Sequence, residues 1–544
     1  MRATSKKDLD IAATIGDYLA FLLPRLETNR QLPRWPPDVY ALSSSLLLRS
    51  GAYCKTLTDW PPYEPLKKGP RRWAAEIETL GNDWRIAWVN GEKLPGTLQQ
   101  WWRAIIKNWS VPIPSIGQDA ALSQSLLQIC AAADEASAGV GSSHSERNST
   151  DERFLFRADE LLARNQRGST LCDEIHSSRA RVLPKMHTPW NGLTIRSLSF
   201  YLCLCTVEEI TPEWITVGSY PARESMKLLL VPWPFRVIPS QFEATKAVKN
   251  EMRNMPDQFG FFTFNQRADI DTVQTIRTLY ERARKDMGQI DAVVLPELAL
   301  LEEERREIRE FVLNEEAFLV SGVGARSDPK KQHGINRVCL DIPYEEPLTQ
   351  SKHHRWKLDA GQIRQYGLGR RLSVERTWWE HVDLSDRRLL FVSLPELVLS
   401  VLICEDLARP DPVGDLVRAV GPNLVIALLM DGPQLKGRWP ERYAMALADD
   451  PGSSVLSLTS LGMSELSRPS QGTSRSRVIA LWKDRTGTST EIELPAGCGA
   501  VVVTLSLEYE EEWTADGRRD YGMAVFPTLS GIHAIKGNPE WFQL

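Results

Sequence analysis

The sequence predicts an α/β protein in its second half, preceded by a mainly α-helical region. From residue 226 onward, short apolar runs end in proline, glycine or polar residues, as in "IDAVVLPELAL" and "LSVLICED". Charged segments with helical periodicity, among them "DIDTVQTIRTLYERARKDM", lie between several of these runs, and this alternation is typical of an α/β sheet. Strands that are buried on both faces have continuous apolar runs of this kind.

The first half of the chain has a different pattern. Apolar residues recur every three or four positions in "LDIAATIGDYLAFLLPRLE", "TLQQWWRAIIKNW" and "ALSQSLLQICAAADEA", which indicates amphipathic helices. We therefore expect a mainly helical domain over residues 1–225, an α/β domain over 226–515 and a C-terminal tail over 516–544. We place no catalytic residue in the helical domain.

Three basic residues of the helical domain, Lys185, His187 and Arg196, lie in a segment rich in small and turn-forming residues. They can bind an anion such as phosphate. They can also be solvated loop residues, or pack this domain against the α/β domain, and we favour that second interpretation.

Composition excludes several classes of protein. The chain has 544 residues, 42% of them hydrophobic, and a net charge of -5, which indicates a globular protein without the basic excess of a nucleic-acid binder. No apolar run is long enough to span a bilayer, and the polar start "MRATSKKDLD" lacks the apolar core of a signal peptide. Eight cysteines without a CxxC pair indicate reduced thiols. We therefore expect a cytoplasmic protein.

Three strand ends carry groups that can do chemistry. Glu297 follows a buried run and a proline, Lys352 follows another extended stretch, and Cys404 ends a third apolar run. Functional groups of α/β sheets gather beyond the carboxyl ends of the strands. A thiolate, a carboxylate and an ammonium group suffice to hydrolyse a carbon–nitrogen bond. The ammonium group would favour the thiolate, and backbone N–H groups from Glu405 onward would complete an oxyanion site.

The order of these residues resembles a known family. The stretches "VVLPELAL", "QSKHH" and "VLICEDLARP" are similar to the Pro-Glu, Lys-x-His and Ile-Cys elements of the nitrilase superfamily of C–N hydrolases, over residues of about 226–510. The resemblance implies a four-layer αββα sandwich with Glu297 as general base, Lys352 as transition-state stabiliser and Cys404 as nucleophile. It further implies hydrolysis of an amide, rather than a nitrile, through a cysteine thioester, and a homo-oligomer.

Two roles have competing candidates. Lys357 competes with Lys352 for the lysine role, and Lys352 is preferred because His354 completes the Lys-x-His element. The family's loop after the lysine often contains Gly-Glu, whereas "DAGQIRQYGLGRR" has no acid at that place. Glu375 or Glu380 can supply the carboxylate instead.

Metal and cofactor sites have no support in the sequence. His353 and His354 can suggest a metal, but no second ligand pair has suitable spacing. The phosphate-binding motifs GxxxxGK[ST] and GxGxxG do not occur. We therefore expect no metal and no cofactor, a small-molecule amide as substrate, and histidines that lie at the surface or support the site.

A second hypothesis belongs to a different class of protein. A simple amidase does not need the long helical region that precedes the α/β domain. The chain can instead be a sensing or scaffolding module of a bacterial complex, for example in antiviral defence, with little or no turnover. A protein partner would then bind through the helical domain.

Overall fold

The part of the chain that the computed structural model describes consists of residues 13–55, 70–142, 149–163, 168–189, 192–218, 223–245, 256–266, 270–324, 334–467, 476–520 and 524–542. Its first α-helices are α1 (Ile15–Leu22), α2 (Pro36–Ser50), α3 (Pro70–Asn90), α4 (Gly96–Lys107), α5 (Ala120–Glu135) and α6 (Ser149–Leu162). Thr14 and Asp17 cap α1 with reciprocal hydrogen bonds. The helix α5 contacts α2, α3 and α4 and so lies at the centre of this helical region.

Strands and further helices follow the helical region. The strands are β1 (Arg181–Pro184), β2 (Leu202–Cys205), β3 (Thr211–Thr216), β4 (Ser225–Leu230), β5 (Phe242–Ala244), β6 (Phe259–Phe264), β7 (Ala292–Leu301), β8 (Phe318–Gly324), β9 (Asn336–Asp341), β10 (Leu348–Ser351), β11 (Lys357–Leu358), β12 (Thr377–Glu380), β13 (Arg388–Ser393), β14 (Val398–Ile403), β15 (Leu424–Leu429), β16 (Ser454–Thr459), β17 (Val478–Lys483), β18 (Ser489–Glu493), β19 (Cys498–Glu510) and β20 (Ala524–Lys536). The helices are α7 (Thr272–Met287), α8 (Glu302–Leu313), α9 (Ala360–Gln365), α10 (Asp415–Val420), α11 (Trp439–Asp449) and α12 (Leu461–Leu466).

Two seven-stranded sheets organise the second half of the chain. The first has the order β10-β9-β8-β7-β4-β19-β20, and the second has the order β18-β17-β16-β15-β14-β13-β3. Three adjacent strands run parallel in each sheet, β4, β7 and β8 in the first and β14, β15 and β16 in the second. A smaller sheet has the order β11-β12-β6-β5, and β1 pairs with β2. The carboxyl ends of the parallel strands therefore meet at one edge of each large sheet.

The two large sheets contact each other. β7 contacts β15 and β16, β9 contacts β14, and β10 contacts β13. The helices α7 and α8 contact strands of the first sheet, and α11 contacts β16 and β17 of the second. The strands β8, β14, β15 and β16 are consequently buried at every residue, which explains their continuous apolar runs.

Local signals set the start of the helices that cover the first sheet. Asp271 caps α7 by accepting a 3.0 Å hydrogen bond from the N–H of Gln274. Three glutamates, residues 302–304, occupy the first turn of α8, where the positive end of the helix dipole favours acids. Glu304 also accepts a 2.7 Å hydrogen bond from the N–H of Leu301. The charged residues between the apolar runs thus form helix ends, as their pattern predicts.

The α/β class predicted from the sequence is confirmed by the strands and helices of the second half. Strands from outside residues 226–515 also join the sheets: β3 pairs in parallel with β13. Within residues 516–544, β20 pairs with β19 along its length. None of the described helices is both long and apolar enough to cross a membrane.

Candidate functional site

Glu297 lies on a bulge within β7, between two segments that pair with β8. The register between β7 and β8 shifts between Leu295 and Leu300, and Leu298 has a φ of 53°, which is uncommon for a residue with a β-carbon. The bulge lies against Gly322 of β8, where an added Cβ would be 2.5 Å from the Cα of Glu297. Gly322 therefore permits the close approach that positions the Glu297 side chain.

Cys404 is the first residue after β14 and begins a short helical turn, Cys404–Asp406. Its φ is 46°, a strained conformation for a residue other than glycine, and such strain is found mostly at functional sites. The side chain is only 1% exposed. A backbone hydrogen bond from Met430, which follows the neighbouring strand β15, favours the thiolate form of the sulfur. The cysteine is thus buried and held at a strand end.

Lys352 connects two carboxylates in the site. Its Nζ lies 2.7 Å from Oε1 of Glu297 and 2.6 Å from Oε2 of Glu380, and none of the three side chains is more than 6% exposed. Asn336 Nδ2 donates a 2.7 Å hydrogen bond to each carboxylate. The backbone oxygen of Asn336 accepts a 3.0 Å bond from the N–H of Lys352. Asn336 therefore fixes all three charged residues.

Asp406 joins the cysteine turn to the segment that carries the lysine. Its carboxylate accepts hydrogen bonds from the N–H of His353 at 3.1 Å and from the N–H of His354 at 2.9 Å. Nδ1 of His354 lies 2.8 Å from the same carboxylate. Asp406 follows Cys404 by two residues, and the histidines directly follow Lys352, so these bonds fix the lysine segment relative to the nucleophile turn.

Burial and neighbouring charges shift the protonation of Glu297 and Lys352. Burial raises the pKa of Glu297; Lys352 opposes this shift, the charge of Glu380 adds to it, and the net pKa lies above the ordinary value. Burial lowers the pKa of Lys352, but Glu297 and Glu380 outweigh that effect and hold the pKa well above its usual range. The lysine therefore stays charged, and Glu297 gains protons more readily than an exposed glutamate.

Burial also raises the pKa of the Cys404 thiol well above its usual range, and the charge of Glu297 raises it further. Lys352 lowers the pKa of this thiol, which is the direction expected from the sequence, but the effect of burial is larger. Lys352 thus favours the thiolate, as expected from the sequence, while burial gives the thiol a net pKa above its ordinary value. Burial and the charge of Glu297 both favour the protonated form of this thiol.

Apolar side chains adjoin these polar residues. A core cluster separate from the main core includes Leu298, Trp356 and Met430. Leu298 is the neighbour of Glu297, Met430 bonds to Cys404, and the N–H of Trp356 donates a 3.2 Å bond to Glu380. The strands β5, β6, β11 and β12 supply further members of the cluster, namely Phe242, Phe262, Leu358 and Trp378. The surroundings of the site are therefore apolar and aromatic.

Two of the residues predicted for the site, Glu297 and Lys352, form a buried ion pair. Glu297 and Lys352 are in direct contact, and Cys404 is close enough to both that their charges shift its pKa. The Glu405 side chain is half-buried and pairs with Arg409. The backbone N–H of Glu405 stays the predicted oxyanion donor.

The surroundings of the candidates for the lysine role and for the second carboxylate differ. Lys357 is exposed, with its Nζ 5.9 Å from the ring centroid of Trp379, and it lies outside the Lys352 cluster. Glu375 is also exposed, whereas Glu380 contacts Lys352. Glu380 on β12 therefore places a carboxylate next to Lys352, although the loop after the lysine has none.

Two positioning residues, Asn336 and Asp406, were not identified from the sequence. Asn336 is a polar residue at the buried start of β9, and its Nδ2 bonds identify its role only once Glu297 and Glu380 are placed. Asp406 stands beside the nucleophile in "CED", a signal that could have singled it out. Of the two histidines, His353 is buried, which lowers its pKa, and it is not a surface residue.

The three basic residues of the helical region have packing roles. Nζ of Lys185 donates to the Ser199 hydroxyl at 3.2 Å and to the carbonyl oxygens of Arg196 and Ser199. His187 lies 3.2 Å from Glu512, and Arg196 lies 2.5 Å from Asp450. His187 and Arg196 therefore join the helical region to residues of the second half, whereas Lys185 bonds within its own region.

The sequence matches no protein-family model and no curated protein. Among solved structures, an amidase from Nesterenkonia sp. is 13% identical with a TM-score of 0.33, and the alignment covers 53% of this chain and 94% of that one. Nit3 of Saccharomyces cerevisiae, a member of branch 10 of the nitrilase superfamily, is 15% identical with a TM-score of 0.32, covering 53% and 93%. A mutant of the Nesterenkonia sp. AN1 amidase, with acrylamide added at its active-site cysteine, is 11% identical with a TM-score of 0.31, covering 51% and 92%.

Proposed function

We propose that the protein is a hydrolase that cleaves the carbon–nitrogen bond of an amide through a thioester at Cys404. The observation that carries this proposal is a strained, buried cysteine whose thiol feels the charge of a buried lysine, and that lysine contacts two carboxylates. A structural ion pair alone does not account for the φ of 46° at Cys404. Nor does it account for Oε2 of Glu297, which is buried and has no hydrogen-bond partner among the described residues.

The first step is attack of the Cys404 sulfur on the amide carbon. Because burial favours the protonated thiol, its proton leaves as the carbon–sulfur bond forms, and Glu297 accepts it. Oε2 of Glu297 is available for that proton because Oε1 bonds to Lys352 and Asn336. The ammonium group of Lys352 and the N–H of Glu405 stabilise the negative charge on the substrate oxygen.

The second step breaks the carbon–nitrogen bond and frees the site. The leaving nitrogen takes the proton from Glu297, so ammonia or an amine departs and the acyl group stays on the sulfur as a thioester. Water then attacks the thioester carbon while Glu297 accepts a proton from it. The carbon–sulfur bond breaks, the sulfur regains a proton, and the carboxylic acid leaves.

The surroundings of the site favour an uncharged substrate with an apolar acyl group. Leu298, Trp356 and Met430 adjoin Glu297, Glu380 and Cys404 and are buried. A charged acyl group placed against these side chains would lose its hydration without a partner of opposite charge. Small aliphatic or aromatic amides therefore fit this environment better than glutamine.

We also propose that residues 226–515 form a four-layer αββα sandwich of the nitrilase type. Contacts between the two large sheets, of α7 and α8 with the first sheet, and of α11 with the second support this arrangement. Residues 1–225 are proposed as a mainly helical domain that adds β3, and residues 516–544 as a tail that adds β20. An experimental structure of the full chain tests these boundaries.

We also propose a cytoplasmic location. All eight cysteines are free, which supports the predicted cytoplasmic location because reducing compartments keep thiols unpaired. We retain the homo-oligomer as part of the proposal, and light scattering coupled to size-exclusion chromatography measures it. A monomer at micromolar concentration would contradict that part alone.

The experiment that tests the activity compares three proteins. Ammonia release from acetamide, butyramide, benzamide and glutamine is measured for the wild type, for Cys404→Ala and for Cys130→Ala, which removes a buried thiol of α5 outside the site. We expect Cys404→Ala to lose on the order of 10⁴-fold or more in kcat, as other nucleophile deletions do, and Cys130→Ala to retain turnover. Intact mass identifies the acyl adduct on the wild type. Turnover that survives Cys404→Ala would refute the proposal.

A further inference from the structure

A cavity of about 490 Å³ lies in the helical region, apart from the Cys404 site. Its walls come from α1, α2, the turn before β1 and the segment after β2, all between residues 18 and 208. The volume falls in the range of roughly 300–1,000 Å³ that is usual for small-molecule pockets. No residue of the proposed active site lines it.

Three arginines from two segments of the chain line this cavity. Arg49 lies in the last turn of α2, Arg179 in the turn before β1, and Arg181 at the start of β1. Glu208 is the one carboxylate among the lining residues. The lining therefore has an excess of positive charge, which attracts an anion.

Aromatic rings hold two of these guanidinium groups in place. The Cζ atom of Arg49 lies 4.4 Å from the centroid of the Tyr18 ring, and that of Arg179 lies 5.6 Å from the Phe21 ring. The two rings stack at 6.2 Å. Such cation–π contacts orient the guanidinium groups before a ligand arrives, so less side-chain entropy is lost on binding. No ion pair of Arg179 with a described residue competes for its N–H donors.

The remaining lining residues suit a phosphate group attached to an apolar body. The hydroxyls of Ser45 and Ser177 can donate to phosphate oxygens, and Leu48, Leu204 and Val207 form an apolar wall. Arg181 is half-buried, and burial lowers its pKa, as expected for a cation that is partly removed from water.

We propose that this cavity is a binding site for a small organic phosphate. Three guanidinium groups in one cavity can pair with the charge and the several oxygens of a phosphate dianion, which carries more charge and more acceptor oxygens than a carboxylate. The phosphate group lies against Arg49, Arg179 and Arg181, and the carbon portion of the ligand lies against the apolar wall. This site does not depend on the proposed hydrolase activity.

Calorimetric titration of the full chain tests the proposal with three probes. They are phenyl phosphate, inorganic phosphate and benzyl alcohol, which separate an organic phosphate from a bare anion and from a neutral ring. We expect phenyl phosphate to bind most tightly, inorganic phosphate more weakly, and benzyl alcohol not to bind. Arg179→Ala is expected to weaken phenyl phosphate binding at least about tenfold, because it removes charge-assisted hydrogen bonds. Arg103→Ala, which changes an exposed arginine of α4, is the matched control and leaves binding unchanged.

A conservative variant keeps the test decisive if Arg179→Ala does not fold. Arg179→Lys retains the charge but loses the planar fork, and we expect a several-fold weaker affinity for phenyl phosphate. Failure of both phosphates to bind at millimolar concentration would overturn the proposal. Binding that is unaffected by both Arg179 variants and by Arg49→Ala would also overturn it. Equal affinities for phenyl phosphate and inorganic phosphate would refute an organic ligand.

Discussion

The ammonium nitrogen of Lys352 lies 2.7 Å from Oε1 of Glu297, and both side chains are at most 1% exposed. Glu380 contacts the same ammonium group from a different strand. Charges removed from water to this extent depend on one another, because each loses its hydration and keeps only its protein partners. The loss of any one residue therefore changes the stability of the fold and leaves the other two with an unbalanced buried charge.

Replacing Lys352 by methionine leaves two buried carboxylates without their cation. We expect Lys352→Met to lower the free energy of unfolding by about 3–5 kcal/mol, the usual cost of breaking a buried pair on one side. Urea denaturation at neutral pH measures it. Lys357→Met is the control, because Lys357 is exposed over Trp379, and it should change stability by less than about 1 kcal/mol. Equal losses of unfolding free energy in Lys352→Met and Lys357→Met would contradict a stabilising role for the buried ion pair.

The pH dependence of the proposed activity reports the pKa of Glu297. Glu297 must be ionised to accept a proton, and its pKa is raised above 4.5, so kcat/KM should fall as the pH decreases through this elevated value. The charge of Glu380 is one cause of the elevation. Glu380→Gln should therefore move this decrease at low pH, the acid limb of the kcat/KM profile, to lower pH.

Glu375→Gln is the control for this measurement, since Glu375 is exposed and outside the Lys352 cluster. Its acid limb should coincide with that of the wild type. An upward shift in Glu380→Gln would show that Glu380 does not act on Glu297 through its charge.

Asn336 lowers the pKa of Glu297, whereas Glu380 raises it. Its Nδ2 hydrogen bond favours the ionised form of Glu297 and lowers the pKa of that carboxyl. Asn336→Ala should therefore move the acid limb of kcat/KM to higher pH. It should also cost about 1–3 kcal/mol of stability, because two buried carboxylates lose a donor. Loss of stability without a shift of the acid limb would limit Asn336 to a structural role.

The sequence predicts the site where its residues stand next to local signals. Glu297 and Cys404 both end apolar runs, and Lys352 is part of a recognisable Lys-x-His element. Glu380 remained one of two candidates because its position depends on long-range pairing. The strand β12, which carries Glu380, lies in parallel against β6, and no residue near Glu380 in the sequence encodes that pairing.

Long-range pairing also explains what the sequence does not reveal of the fold. Residues 211–216 are a strand because they pair with residues 388–393, and residues 524–536 are a strand because they pair with β19. Neither segment has the continuous apolar run of the central strands, since each lies at the edge of its sheet. The pKa of the Cys404 thiol likewise depends on burial, which raises it by more than the charge of Lys352 lowers it.

The bulge that carries Glu297 requires a glycine at position 322. A Cβ there would lie 2.3 Å from the oxygen of Pro296 and 2.5 Å from the Cα of Glu297, and both are backbone atoms that cannot move independently. We expect Gly322→Ala to destabilise the protein by about 1–3 kcal/mol, as overpacking does. It should also reduce kcat by roughly 100-fold, because a displacement of about 1 Å at a catalytic group has that effect.

A second glycine separates this effect from the intrinsic difference between glycine and alanine. A Cβ at Gly96, the first residue of α4, would meet no atom within 4 Å. Gly96→Ala should leave kcat unchanged and, if anything, raise stability by about 0.4–1 kcal/mol by restricting the unfolded chain. Urea denaturation and ammonia release measured on both variants show whether the effect is specific to Gly322. If Gly322→Ala kept full activity, the close contact between β8 and the bulge would not position Glu297.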